Sequence, residues 1–484
     1  MPTMQRVEDG PYGGYGGSYY KAEHGQHKIK KIDAWGRSYD GYDVVNGFQF
    51  TWDDGYKGPL VGHQNPNIYR PFEFEDDEKI TSMTIRAGHD VGFVDAIEFN
   101  TNKSRHYEVG GKGGEPNVIK GKHLGNGDWI GAEGRDPIHG ADAVVDSIKG
   151  HQKPFRPILK KTIVVKGGKG PADAMSIKQI PRPTPSVGQA LIKIKAFGLN
   201  RMDLLQREGL YPLPPQAPKT MGVEFSGTVE SVAAGAETDF KAGAYGGAYA
   251  EYIIVDTGML VHKPPELTWE QAACVPETWI TASQALHIIG KFKPGRSVLW
   301  HAGASSVSIC GIQLAKAEGA KAIYATAGSQ EKCGFLVNEL GVTAAFNYKS
   351  QDWATEVKKV TDGAGVDLIV DFVGANYFQG NLDAAARDGR IVILGLMSGQ
   401  KLPDGVDIGG LLFKRLRVEG STLRSRDLEY QRKLRDSMVA HVLPRLMDGT
   451  FKVFVEKVFP FTEIVEAHKL LESNQTRGKL ACVI

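Results

Sequence analysis

The stretch Trp300 to Val307 reads WHAGASSV and joins a short apolar run, Ser297 to Trp300, to a helical recurrence of Val307, Cys310, Gly311, Leu314 and Ala315. A turn of small side chains at a helix N-terminus lets the backbone approach a pyrophosphate, whose charge the unpaired N–H groups and the helix dipole attract. The chemistry suited to such a turn is dinucleotide binding, with Gly303, Ser305, Ser306 and Val307 in reach. Only Gly303 of the three usual glycines is present, and Ser306 and Ser308 stand where the others belong. The next apolar run, Ala322 to Thr326, passes into Ala327 and Gly328 without the carboxylate that would hold a free ribose hydroxyl. Lys332 and Tyr348 follow it, a cation and a phenol that suit a 2′-phosphate, so NADPH is the expected cofactor.

The elements that must position these residues belong to a chain too long for one ordinary core, since 484 residues predict two or three domains. With 58 basic against 56 acidic residues, the net charge of +2 carries no footprint for nucleic acid or an anionic membrane. No run of about eighteen apolar residues marks a membrane span, and MPTMQRVEDG lacks the apolar centre of a secretion signal. Cys274, Cys310, Cys333 and Cys482 have no paired spacing and read as reduced thiols, so a cytoplasmic location is expected.

The first third differs in kind, being glycine-rich, free of cysteine and built of short alternating runs. VNGFQFTW around Asn46, VDAIEFNT around Asp95 and ADAVVDSI around Asp142 repeat a pattern roughly every 50 residues. Each copy follows a predicted strand and a glycine read as a turn, at Gly36, Gly88 and Gly134. Three like sheets burying one face each against the others predict a prism. With the run GGYGG at Gly13 to Gly17, this segment resembles the jacalin-related lectins. The resemblance implies a sugar held between the glycine loop, Gly16 and Gly17, and the carboxylates Asp142 and Asp95. The family's G-x-x-x-D loop is altered, because Ile138 and Val91 occupy the glycine positions.

From Leu159 onward, FGLNRMDLLQREGLY, MGVEFSG, PETWITASQALH, FNYKSQDW and GSTLRSRD occur in an order that resembles the zeta-crystallin-like quinone oxidoreductases of the medium-chain dehydrogenase/reductases. Phe197 to Tyr211 is expected to enter a loop that substrate can reach. The family implies a GroES-like catalytic domain interrupted by a Rossmann domain, NADPH as hydride donor, a quinone or enone as acceptor, and a homodimer. Carried onto this sequence, it makes Tyr211, Ser305 and Asn200 the catalytic candidates. Thr281, Gly303, Ser305, Ser306, Val307, Gly328, Lys332, Tyr348, Gly395, Leu396, Met397, Phe413, Leu423, Arg424, Ser425 and Lys479 become the cofactor-binding candidates. Ala244, in a shortened segment from Lys241 to Tyr252, stands where the family has an Asp.

Zinc is argued out of this half, because Val223 precedes Glu224 where zinc-dependent relatives place a histidine, and no cluster of four cysteines exists. Glu224 then reads as structural, and His301 as a core histidine or a proton relay. The expected layout is an all-β, jacalin-like prism over 1–150, a linker over 151–161, a GroES-like β-domain over 162–280, an α/β Rossmann domain over 281–419 and a return to the catalytic domain over 420–484. The expected activity is zinc-independent, NADPH-dependent reduction of quinones or α,β-unsaturated carbonyls, with the lectin-like module for targeting. The alternative is a carbohydrate- or protein-binding adaptor whose reductase half binds NADPH with little or no turnover.

Overall fold

The computed structural model describes residues 7–14, 16–39, 41–88, 92–136, 145, 147–152, 159–214, 217–233, 242–243 and 247–484. Asp142, Ile138, Val91 and Ala244 lie outside the described residues, as do 153–158 of the expected linker. The chain divides into two compact units, Met1–Pro157 and Ile158–Ile484.

The first unit is an all-β prism of three four-stranded sheets. Each is built on one antiparallel hairpin: Ile29–Tyr39 with Tyr42–Trp52, Ile80–Ala87 with Val94–Thr101, and Trp129–Asp136 with Ser147–Gln152. Alternating residues turn inward from all three sheets, and Ile32, Phe48, Phe50, Ile85, Phe99, Trp129 and Ile148 form one core. Gly36 and Gly134, expected in turns, lie inside strands instead. The reason is close approach: a Cβ at Gly36 would stand 2.9 Å from Ile68 Cγ2, and one at Gly134 would strike the Ser147 carbonyl. The first two repeats also set Asn46 and Asp95 against glycines outside their own hairpins. A Cβ at Gly113 would stand 2.6 Å from Asp95 Oδ1, and one at Gly62 would strike the Asn46 carbonyl.

The second unit contains a two-stranded sheet, Leu159–Val165 with Met175–Pro181, and two larger sheets. In the antiparallel-rich one of these, Gln189–Gly198 is flanked by Phe225–Val232 and by Lys479–Val483, with Val455–Pro460 outside the latter. The other is wholly parallel and runs Ala344–Asn347, Ala322–Ala327, Ser297–Trp300, Val366–Asp371, Ala385–Ile393, Arg417–Gly420. Its order reverses between Ser297–Trp300 and Val366–Asp371, and ligands of doubly wound sheets collect beyond the strand ends at such a point. The return to the first sheet comes later than residue 420. Leu434, Met438, Val442 and Leu446 of the helices Leu428–His441 and Leu443–Met447 share a core with Trp279, Leu286 and Ile312, and the chain rejoins the sheet only at Val455–Pro460. At the expected linker, His151 and Gln152 close one strand and Leu159 to Lys161 open the next.

Candidate functional site

The helix Ser306–Ala317 begins where the sequence places it, with Ser305 at its N-cap. The Ser305 hydroxyl accepts from the Ser308 N–H at 3.5 Å and donates to Ser308 Oγ at 3.1 Å. Ser308 does not obstruct the turn: it is fully buried and its hydroxyl donates to the His301 carbonyl at 2.9 Å. Its side chain completes the loop's own hydrogen bonds, where a glycine would leave that carbonyl to another donor. Close packing of helix on strand is secured one turn further on, by Gly311, where a Cβ would overlap the Trp300 indole. Gly303 packs likewise, with Ala325 Cβ and Leu336 Cδ1 at 2.7 and 3.0 Å from where its own Cβ would be, so it shapes the turn without lining the cleft.

A cleft of about 220 Å³ opens beyond the ends of Ser297–Trp300 and Val366–Asp371. Eight of the expected residues line it together: Asn200, Ser305, Ser306, Val307, Gly328, Lys332, Tyr348 and Met397. Gly328 admits Tyr348, whose hydroxyl would stand 2.6 Å from a Cβ at that position. Ser329 caps the helix Gln330–Asn338 and sets Lys332 in its first turn. The Lys332 ammonium donates to the Asn474 carbonyl at 2.7 Å, and burial lowers its pKa. Glu331 turns away from it toward Arg477, at 3.4 Å.

A smaller pocket of about 50 Å³ is lined by Val223, Pro276, Glu277, Ile280, Leu423 and Arg424, among others. Arg424 Nη1 donates to Gln206 Oε1 at 2.8 Å, and the guanidinium carbon stands 5.7 Å from the centre of the Tyr211 ring. Arg424 Nη2 is buried and meets no acceptor among the described residues. Burial raises the Tyr211 pKa, with Arg424 pulling the other way. Glu277 was not among the expected residues, and its carboxyl is pushed up to about 7 by burial and then by the nearby charge of Glu224. Its marks in the sequence are its place in the PETWITASQALH motif and beside Pro276 in the first turn of a helix.

Glu224 connects cleft and pocket. It accepts from Asn200 Nδ2 at 2.9 Å and from the Glu277 N–H at 3.0 Å, and pairs with the Lys479 ammonium. Lys479, an expected cofactor ligand, is thereby turned inward: it also donates to the Leu199 carbonyl at 2.9 Å and to Asn200 Oδ1 at 2.6 Å. Burial works against its charge, yet Glu224 carries its pKa above the ordinary lysine value.

Phe197 to Tyr211 is not the open loop expected. Arg201–Glu208 is a helix with a capping box, in which Asp203 accepts from the Asn200 N–H at 2.8 Å and Gly209 closes the far end at φ 74°. Other expected residues stand apart from the cleft. Thr281 donates to Glu277 Oε1 at 3.5 Å, and Gly395 packs against the Phe372 carbonyl. Leu396 covers Gly374, Ser425 bonds Thr422, and Phe413 is 74% exposed on the helix Gly409–Phe413. His301 is fully buried, bonded to Thr326 at 3.0 Å and Asn381 at 2.7 Å, which makes it a core histidine with no open path to relay a proton.

The donor set near the cleft does not fit zinc. The Glu224 carboxylate is paired with Lys479, and burial raises the thiol pKa of both Cys274 and Cys310, the latter to about 12. Among the described residues no helix is long and apolar enough to cross a membrane.

Three family models match: a jacalin-like lectin domain over 9–148, an alcohol dehydrogenase GroES-like domain over 186–265 and a zinc-binding dehydrogenase domain over 306–439. A quinone oxidoreductase of Pseudomonas aeruginosa is 31% identical over 318 residues, 64% of this chain and 95% of that protein. The synaptic vesicle membrane protein VAT-1 homolog of Rattus norvegicus is 29% identical over 338 residues, covering 65% of this chain and 82% of its own. The crystal structure of Escherichia coli quinone oxidoreductase complexed with NADPH superposes with a TM-score of 0.60 at 26% identity, over 67% of this chain and 100% of that one. The order of the parallel sheet, the placement of the cleft and these likenesses agree: the chain belongs to the medium-chain dehydrogenase/reductase superfamily of oxidoreductases, in its quinone oxidoreductase branch, with a jacalin-like lectin domain ahead of the reductase.

Proposed function

We propose that the second unit is a zinc-independent, NADPH-dependent reductase of quinones or α,β-unsaturated carbonyls. The observation that carries this reading is the meeting of Ser305, Val307, Gly328, Lys332 and Tyr348 on one cleft at the reversal point of the parallel sheet. The first N–H groups of Ser306–Ala317 and the Ser305 and Ser306 hydroxyls would hold the pyrophosphate. Lys332, Tyr348 and Gly328 would hold the 2′-phosphate, for which Lys332 keeps two N–H donors beyond the one given to Asn474. When bound, NADPH supplies the hydride.

The rest of the chemistry belongs to the apolar pocket beside the cleft, which suits a flat acceptor. The unpartnered Arg424 Nη2 and the Tyr211 phenol would donate to an acceptor oxygen as it gains charge, in a site where the donors are already fixed. Glu277, protonated in part at neutral pH, would return the proton. The first unit would act as a targeting module in the cytoplasm, although Asp95, an expected sugar ligand, is buried beneath Gly113 and Gly114, and two reductase units would pair as a homodimer.

Purified protein mixed with NADPH and 1,2-naphthoquinone should bleach the cofactor's absorbance at 340 nm, as reduced nicotinamides do on oxidation. Turnover no higher than that of Lys332→Glu would overturn the reading.

A further inference from the structure

In the first unit, the turn between Ser18–Glu23 and Ile29–Tyr39 lies beside the turn that follows Tyr42–Trp52. The two are joined by the Asp53 N–H to the Lys28 carbonyl at 2.9 Å and by the Lys28 N–H to Asp53 Oδ2 at 3.2 Å. This brings His24 and His27 from one turn to Asp54 from the other, with ligand atoms of all three within 4.8 Å of one another. We propose that His24, His27 and Asp54 form a binding site for a divalent transition-metal ion, zinc by preference.

Each of the three side chains is aimed from behind. The His27 Nδ1–H donates to Asp53 Oδ1 at 2.7 Å, which leaves Nε2 facing the cluster. Metal-bound imidazoles are oriented by such a carboxylate on the second nitrogen. Asp54 Oδ1 accepts from the Tyr56 N–H at 3.0 Å, leaving Oδ2 for the cluster. The His24 ring is stacked between Tyr56 at 4.2 Å and His27 at 4.9 Å, with the Trp52 indole at its edge. Asp54 Oδ2 then stands 2.7 Å from His24 Nε2 and 3.7 Å from His27 Nε2, on either side of the spacing of about 3.3 Å between tetrahedral zinc ligands.

Two imidazoles, one carboxylate and a water suit zinc, whereas calcium and magnesium prefer oxygen alone. The ion would clip together the open end of the hairpin Ile29–Tyr39 with Tyr42–Trp52.

The test is isothermal titration of the full-length, EDTA-stripped protein with zinc chloride, beside His24→Gln/His27→Gln and Asp53→Asn. Wild type should take up a zinc ion that the double variant lacks, and Asp53→Asn should bind it about 10- to 100-fold more weakly. Saturating zinc should raise the melting temperature of wild type and leave that of the double variant unchanged. Should the double variant fail to fold, Asp54→Asn takes its place. Equal zinc uptake by wild type and variant, or no uptake by wild type, overturns the proposal.

Discussion

Glu224 and Lys479 form an ion pair with no outlet to water, their side chains 0% and 2% exposed. The pair ties the strand Phe225–Val232 region to the last strand of the chain, and through Asn200 it also fixes the floor of the cleft. Removing one charge strands the other in a low-dielectric interior. Lys479→Met should therefore destabilise the second unit by about 3–5 kcal/mol, and adding Glu224→Leu should recover part of the loss. Urea midpoints of the single and double variants measure both.

On the proposed reading, Lys332 distinguishes NADPH from NADH through the 2′-phosphate. Lys332→Glu should weaken NADPH binding by about 10- to 100-fold, from the loss of a charged hydrogen bond, and leave NADH binding within about twofold. Fluorescence titration with both cofactors reads the ratio.

Glu277 sets a pH limb. A carboxyl with a pKa near 7 donates a proton only below that pH, so kcat/KM should fall as pH rises through about 7. In Glu277→Gln that limb should vanish, with the low-pH rate reduced. A profile from pH 5 to 9 with a fixed quinone separates the two enzymes.

His468 imposes an acid limit on stability. Tyr249 donates to Asp203 at 3.2 Å, so the His468 Nε2–H donates to Tyr249 Oη at 3.0 Å, and Nδ1 receives Arg207 Nη1 at 3.2 Å. Burial, then Arg207, lowers its pKa to about 3, so the folded chain refuses a proton that the unfolded chain accepts near pH 6.5. Stability conferred by the neutral ring is complete above that value and declines as pH falls, by up to about 1.4 kcal/mol per unit. His468→Gln should flatten the slope between pH 6.5 and 4, as followed by urea unfolding.

The parallel sheet ends on an edge strand, Arg417–Gly420, whose residues are all exposed, next to Ile408, Leu412 and Phe413 at 61%, 74% and 74% exposure. We expect a second copy of the chain to cover this strand edge and the apolar patch beside it. Wild type should sediment as a dimer and Leu412→Glu/Phe413→Glu as a monomer.

The parts legible in the sequence were those written in local periodicity. Ser297–Trp300 and Ser306–Ala317 emerge from apolar spacing alone, and the meeting of Ser305, Lys332 and Tyr348 follows from a doubly wound order. Less visible were features decided by distant partners. Gly311 does the packing of a missing glycine because Trp300 lies beneath it, and Lys479 faces inward because Glu224 waits there. Gly36 resembled a turn residue because the need for a missing Cβ is the same whether the chain bends or another side chain presses close. Asn200 and Asp203 did spell a capping box, N-x-x-D, and thus the helix Arg201–Glu208, but the apolar residues between them are too few to announce it.

Gln189–Gly198 receives its neighbour Lys479–Val483 from a point some 280 residues further along the chain, after the whole parallel sheet has been made. During synthesis the parallel sheet can assemble from near neighbours, whereas the strand edge at Ala196 to Gly198 stays open until Lys479–Val483 has been made. That interval exposes an apolar ribbon to other nascent chains, so heat-shock conditions or slow translation should drive this protein into aggregates through the open edge of Gln189–Gly198.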